Sequence, residues 1–162
     1  MDIVNVDYVQ YCDDALLKIK KASAIGNPYE LLVTDLSFKD LRPIDQLLNG
    51  VELIEAVRRN FPSIKIIVYS IEDASFRIKM LFEKYAINGY VIKGRKSIPE
   101  LQNVVKELYL GKDRIVSSQA KAAFNDKSLL EIESYDIELL KLLAKGNTQD
   151  NIGVIFKQLG IS

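Results

Sequence analysis

Histidine is absent from the 162 residues, and cysteine occurs once. The first absence removes Ser-His and Cys-His nucleophilic catalysis and any His-ligated zinc. The second removes an internal disulfide and a thiolate metal cluster. Cys12, with no histidine to activate it, reads as a buried small hydrophobe. No apolar run approaches the roughly 20 residues that a membrane span needs. The opening Met1-Asp2-Ile3-Val4-Asn5 lacks the basic and apolar blocks of a signal peptide, so a cytoplasmic protein without membrane contact is expected. Net charge is lacking as well: 22 basic residues balance 22 acidic ones, which leaves no global pull toward nucleic acid. Residues 125–162 carry four Lys against six acids, so a DNA-binding surface is expected mostly outside this chain. Carboxylate, hydroxyl and amine chemistry remain.

What is present suits one ordinary globular domain with a smaller appendage, at 48% hydrophobic and 27% charged residues. Strand-like apolar runs alternate with helix-period segments, the signature of a parallel sheet covered by helices. Val4-Asn5-Val6-Asp7-Tyr8-Val9 reads as a first, weak strand. Asp13 or Asp14 then caps a helix with Leu16, Leu17 and Ile19 on its apolar side, ended by Gly26-Asn27-Pro28. Leu31-Leu32-Val33-Thr34 reads as a central strand buried on both faces and ending in Asp35. A polar loop over 37–49 leads to Gly50 and a helix with Val51, Ile54 and Val57 at helical spacing. The next strand is Ile64-Lys65-Ile66-Ile67-Val68-Tyr69, with Ser70 at its end. A helix over 72–86 turns Ile78, Leu81, Phe82 and Tyr85 inward. Gly89-Tyr90-Val91-Ile92 is a short strand that delivers Lys93. Ser97 caps a last helix with Pro99 in its first turn and Leu101, Val104, Val105 and Leu108 inward, stopping at Gly111. Residues 112–131 read as a connector, partly helical at 118–124. Two further helices follow, at 135–144 and from Thr148 to about Leu159.

This order places Asp35, Ser70 and Lys93 at the ends of three successive strands, 35 and then 23 residues apart. In a doubly wound sheet, ligands bind at the carboxyl ends of the strands, so the three converge on one crevice. A carboxylate nucleophile with a hydroxyl and an ammonium to stabilise transferred oxygens suits phosphoryl chemistry. Each residue alone would read as a turn or cap; their joint spacing is what points to a site.

Over about residues 3–112 the chain resembles the receiver domains of bacterial two-component response regulators. The resemblance lies in Leu31-Leu32-Val33-Thr34-Asp35-Leu36, in Gly50-Val51-Glu52-Leu53-Ile54-Glu55-Ala56-Val57-Arg58-Arg59 leading to Pro62, in Ile66-Ile67-Val68-Tyr69-Ser70, and in Gly89-Tyr90-Val91-Ile92-Lys93. It implies an α/β, flavodoxin-like doubly wound parallel sheet lacking its first β-α unit. It also implies that Asp35 accepts a phosphoryl group from a phosphohistidine on a partner histidine kinase, with Lys93 and Ser70 sensing the phosphate and Tyr90 as the switch aromatic. Tyr135-Asp136-Ile137-Glu138-Leu139-Leu140-Lys141-Leu142-Leu143-Ala144-Lys145-Gly146, continued by Asn147-Thr148-Gln149-Asp150-Asn151-Ile152-Gly153 and Leu159-Gly160-Ile161-Ser162, is similar to the start of a LuxR-type helix-turn-helix. The implied division is a receiver over 1–112, a linker over 113–131 and a small all-α helix-turn-helix fragment over 132–162. The implied product is a transcriptional regulator rather than an enzyme.

Three departures qualify this. The family's receiver opens with a strand ending in paired acids that hold Mg²⁺ beside the acceptor. Asp13-Asp14 lies only 22 residues before Asp35, room for one helix and one strand, and so belongs to the start of a helix. Mg²⁺ is then left with Asp35, the backbone carbonyl of Ser37 and waters, a weak set for a hard cation. An uncovered sheet edge is also implied, with repair by homodimerisation or strand exchange. The loop before Gly50 is several residues longer than the family usually has, and Lys39-Asp40-Leu41-Arg42-Pro43 is a candidate contact for a kinase or a second receiver. Finally, the match stops where the recognition helix would begin, so DNA reading is expected only of a longer form. Two rivals stand beside the main reading: a phosphorylation-independent receiver-like module acting through protein contacts, and, remotely, a haloacid-dehalogenase-type phosphatase. The latter needs a second Asp where this chain has Ser37.

Overall fold

The structure is a computed structural model, and it describes residues 5–38 and 41–124. The helices expected over 135–144 and from Thr148, with the helix-turn-helix reading over 132–162, lie outside the described residues. The elements run α1 (Cys12–Ala24), β1 (Leu31–Thr34), α2 (Gly50–Asn60), β2 (Lys65–Ser70), α3 (Ser75–Tyr85), β3 (Gly89–Ile92), α4 (Ser97–Tyr109), β4 (Ile115–Val116) and α5 (Ser118–Phe124). All four strands are parallel, in the spatial order β1-β2-β3-β4.

Alternation along the strands divides the core into two layers, because successive side chains leave opposite faces of the sheet. Ile66, Val68, Tyr90 and Ile92 face the layer built with Ile19 of α1, Leu53, Ile54 and Val57 of α2, and Ile78, Leu81 and Phe82 of α3. Ile67 and Val91 face the other way, against Val104, Val105 and Leu108 of α4. Helices thus cover both faces, as the doubly wound reading expects. Each of these fully buried aliphatic side chains is worth about 1.5–3 kcal/mol of transfer free energy.

Local chemistry sets the helix ends. Asn49 caps α2 by accepting from the Glu52 N–H at 3.0 Å, and the Glu52 carboxylate reaches back to accept from the Leu48 N–H at 2.7 Å and the Asn49 side-chain amide at 2.9 Å. Ala86, at φ 49°, ends α3 in the left-handed region. Arg58 ties this end to the start of β2: its guanidinium donates to the carbonyls of Tyr85, Ala86, Pro62 and Ile64 and to the Asn88 side chain.

Several expectations are corrected. Residues 5–9 form no strand: Asp7 is bound to Tyr29 and to Lys18, Val6 and Tyr8 are 79% and 86% exposed, and of the segment's apolar residues Val9 alone packs against the core. In consequence β1 is not central. Among the described residues it is the sheet edge, and Val33 stands 41% exposed. The N-cap of α1 is Tyr11, with Asp13 and Asp14 inside the first turn and turned to other partners, and Leu17 faces solvent while Cys12 and Ala15 join the core. Cys12 is buried, as its isolation suggested. Ser97 is the first helical residue of α4 rather than its cap, and its hydroxyl donates to the Gly94 carbonyl. The helix read at 118–124 is α5 with those bounds, its Ala120 fully buried, while the stretch before it adds a strand the reading did not give, β4, in which Ile115 pairs beside Gly89.

Candidate functional site

Asp35, Ser70 and Lys93 lie where the strand ends were expected to bring them. Asp35 follows β1 directly, Ser70 closes β2, and Lys93 follows β3, its N–H donating to the Ser70 carbonyl at 2.8 Å. The Lys93 ammonium donates to Asp35 Oδ2 at 2.5 Å. The other carboxylate oxygen, Oδ1, accepts from the Leu36 N–H at 2.6 Å and the Ser37 N–H at 3.5 Å. Ser70 is almost fully buried at the end of β2, and its hydroxyl acts on the carboxylate electrostatically. Burial alone would push the Asp35 carboxyl up. Lys93, the Ser70 hydroxyl and the Leu36 N–H outweigh it and hold the group below the ordinary carboxylate value.

Tyr90 is fully buried beneath this cluster, and its hydroxyl donates to the Glu72 carbonyl at 2.8 Å in the turn between β2 and α3. Burial, helped by the charges of Glu72 and Asp35, pushes its phenol far above the usual range. Glu72 is itself fixed. Its carboxylate accepts from the Ala74 N–H at 3.1 Å and pairs with Arg77 at 3.2 Å, while its own N–H points at the Ser70 hydroxyl. The switch aromatic of the sequence reading is therefore turned inward and linked, through Glu72, to the turn that follows Ser70.

Two contributors escaped the sequence reading. Gly50 opens α2 against the loop after Asp35: its N–H donates to the Leu36 carbonyl at 3.0 Å, and a β-carbon there would sit 1.8 Å from the Asp35 carbonyl oxygen. Only glycine allows this approach. Its signal was a glycine at a helix start where an ordinary helix former would do. Tyr69 is the second, with its ring centroid 5.2 Å from the Lys93 ammonium and its hydroxyl 2.8 Å from Ser97 Oγ; nothing in its strand pattern marked it.

The acids that tempt as a metal pair have other work. Asp13 accepts from the N–H groups of Gln46 and Leu47 at 2.9 and 3.1 Å. Asp14 takes both arms of the Arg42 guanidinium, which also binds Asp45 and lies 4.0 Å above the Tyr11 ring. The long loop is thus fastened to the first turn of α1, and Arg42 is spent inside the chain rather than free for a partner; Lys39 and Asp40 lie outside the described residues. The Mg²⁺ that the resemblance implies finds a poor donor set here. Among the described residues no three acids or thiols converge, and the oxygens of Asp35 already accept from Lys93 and the loop amides.

No protein-family model matches the chain. It is 29% identical over 123 residues to the transcriptional regulatory protein RcsB of Escherichia coli, covering 72% of this chain and 53% of that protein. The chain therefore spans about half the length of the curated relatives it matches. Among solved structures, the isolated receiver domain of RcsB from Salmonella enterica serovar Typhimurium, determined with a phosphomimetic, superposes with a TM-score of 0.54 at 22% identity, over 68% of this chain and 74% of that one. A structure of two RcsB dimers bound to two parallel DNAs gives 0.62 at 23% identity, over 94% of this chain and 68% of that one. The fold is that of a receiver, and in sequence the chain is similar to a response regulator.

Proposed function

We propose that this chain is the receiver part of a transcriptional response regulator whose acceptor is Asp35. In this reading a carboxylate oxygen of Asp35 forms a P–O bond as the P–N bond of a phosphohistidine on a partner histidine kinase breaks. Lys93 and Ser70 then bind the transferred oxygens, and Tyr90, held by Glu72, carries the change to the surface around α3 and α4. A LuxR-type helix-turn-helix beginning in residues 132–162 is the output in the cytoplasm, acting on DNA as a homodimer, as the RcsB dimers on DNA suggest by analogy. The single observation that supports this most is the convergence of Asp35, Ser70 and Lys93 on one strand-end crevice with a buried Tyr90 beneath it.

A second reading, the phosphorylation-independent module, draws on the closed Asp35–Lys93 pair and the poor metal site. The phosphatase reading has no such support, since Ser37 offers a backbone N–H to Asp35 where a general acid is required. Incubating the chain with acetyl phosphate and following intact mass separates the two that remain. A gain of one phosphoryl group, abolished in Asp35→Ala, supports phosphorylation, and an unchanged mass supports the independent module.

A further inference from the structure

Both oxygens of the acceptor carboxylate are engaged by this chain's own cations and amides. Lys93 Nζ lies 2.5 Å from Oδ2, and the Leu36 and Ser37 N–H groups are directed at Oδ1. A divalent cation at Asp35 would have to displace an ammonium or lie against it, and it would face amide protons on the loop that should lend it a carbonyl oxygen. A hard cation needs about six oxygen ligands in a tight shell. Four acids near this end of the sheet are committed: Asp13 to the Gln46 and Leu47 amides, Asp14 and Asp45 to Arg42, and Glu72 to Ala74 and Arg77. Among the described residues, Lys93 is the only cation within ion-pair distance of Asp35.

We infer that Lys93, and not a divalent cation, supplies the positive charge at Asp35 in this chain. The sensing residues stand beside this pair: the Ser70 carbonyl accepts from the Lys93 N–H, and Tyr90 is inward on the Glu72 carbonyl, in the arrangement in which Lys93 pairs with Asp35. The state of the switch is then insensitive to magnesium. The inference rests on the reading of Asp35 as the acceptor crevice but does not require that a phosphoryl group be transferred.

The test uses the full chain, isotopically labelled, with Mn²⁺ as a paramagnetic probe of the site. Amide signals of Leu36, Ser37, Ser70 and Lys93 are expected to keep their intensity at millimolar Mn²⁺, losing no more than exposed amides elsewhere. Selective, saturable broadening of these four overturns the inference. In parallel, acetyl phosphate is supplied in EDTA and in millimolar Mg²⁺, and the two mass gains are expected to be equal. A gain that appears only with Mg²⁺ overturns the inference while leaving Asp35 as acceptor. No gain in either buffer, with the four amides unbroadened, sinks the proposed phosphorylation and leaves the role of Lys93 standing.

Discussion

Lys93 Nζ and Asp35 Oδ2 are 2.5 Å apart although 58 positions separate them in the chain. The Asp35 carboxyl lies below its ordinary value because this ammonium, with Ser70 and the Leu36 amide, outweighs burial. A carboxyl lowered on folding stabilises the protein above its unfolded value of about 3.9, and that contribution is lost as pH falls through the lowered value. In Lys93→Met the ammonium is gone and burial gains weight, so the Asp35 carboxyl is expected to titrate at higher pH than in the parent. Charge-assisted bonds of this kind contribute about 1–2 kcal/mol when partly exposed, so a drop of that size at neutral pH is expected. A carboxyl-carbon NMR titration reads the shift directly, and an unchanged midpoint would refute the assignment of Lys93 as its main stabiliser.

Gly50 makes the opposite kind of contact, one of exclusion. An added methyl would stand 1.8 Å from the Asp35 carbonyl oxygen, with the Leu36 α-carbon 3.0 Å away, and backbone cannot swing aside as a flexible side chain can. Gly50→Ala is expected to cost about 2–3 kcal/mol through overpacking, despite the better helix propensity of alanine. Thermal unfolding measures the loss. The same variant should move the Asp35 and Leu36 amide resonances far more than those of β3.

Much of this was legible from residues, and the reason is periodicity. The strand at Gly89–Ile92 was read with its bounds intact, because four apolar residues between Asn88 and Lys93 admit little else. The inward faces of α2 and α3 follow from Ile54, Val57, Ile78 and Phe82 at helical spacing. Leu31–Thr34 shows where such reading stops: an apolar run of four has the same pattern whether a neighbour covers it or not, and Val33 turned out half exposed. Ile115–Val116 is too short to leave a pattern at all. In the site, side chains at strand ends were found and backbone was not. The Glu72 carbonyl that receives Tyr90 carries no mark in residue type, and neither does the amide pair that occupies Asp13.

Arg58 supplies a stability prediction away from the site. It donates to four backbone carbonyls and to Asn88, joining the end of α3 to the start of β2. Burial lowers its pKa, with Asp113 opposing, yet the guanidinium stays charged at any accessible pH. A lysine has a single ammonium and cannot reproduce a planar fork, so Arg58→Lys should recover only part of the loss of Arg58→Ala. Losing these bonds, two of the carbonyls being part-buried and two exposed to water, is expected to cost about 1–3 kcal/mol in the alanine variant. Equal midpoints for the two variants in urea would show that the charge alone matters.

Cys12 gives a probe of the packing of α1 that needs no mutation. Burial, followed by the negative charges of Asp13, Glu52 and Asp45, pushes its thiol up to about 11, and only the thiolate reacts at a useful rate. The folded chain at pH 8 should therefore be alkylated by iodoacetamide at least about tenfold more slowly than the chain in urea, where the thiol returns to about 8.5. The sign of the pH dependence follows from the raised value. A thiol raised on folding stabilises the protein below its unfolded pKa, and that contribution is lost as pH rises through the folded value. Rapid labelling of the native chain at pH 8 would mean that the first turn of α1 opens readily, and with it the anchor that Asp13 and Asp14 provide for the loop after Asp35.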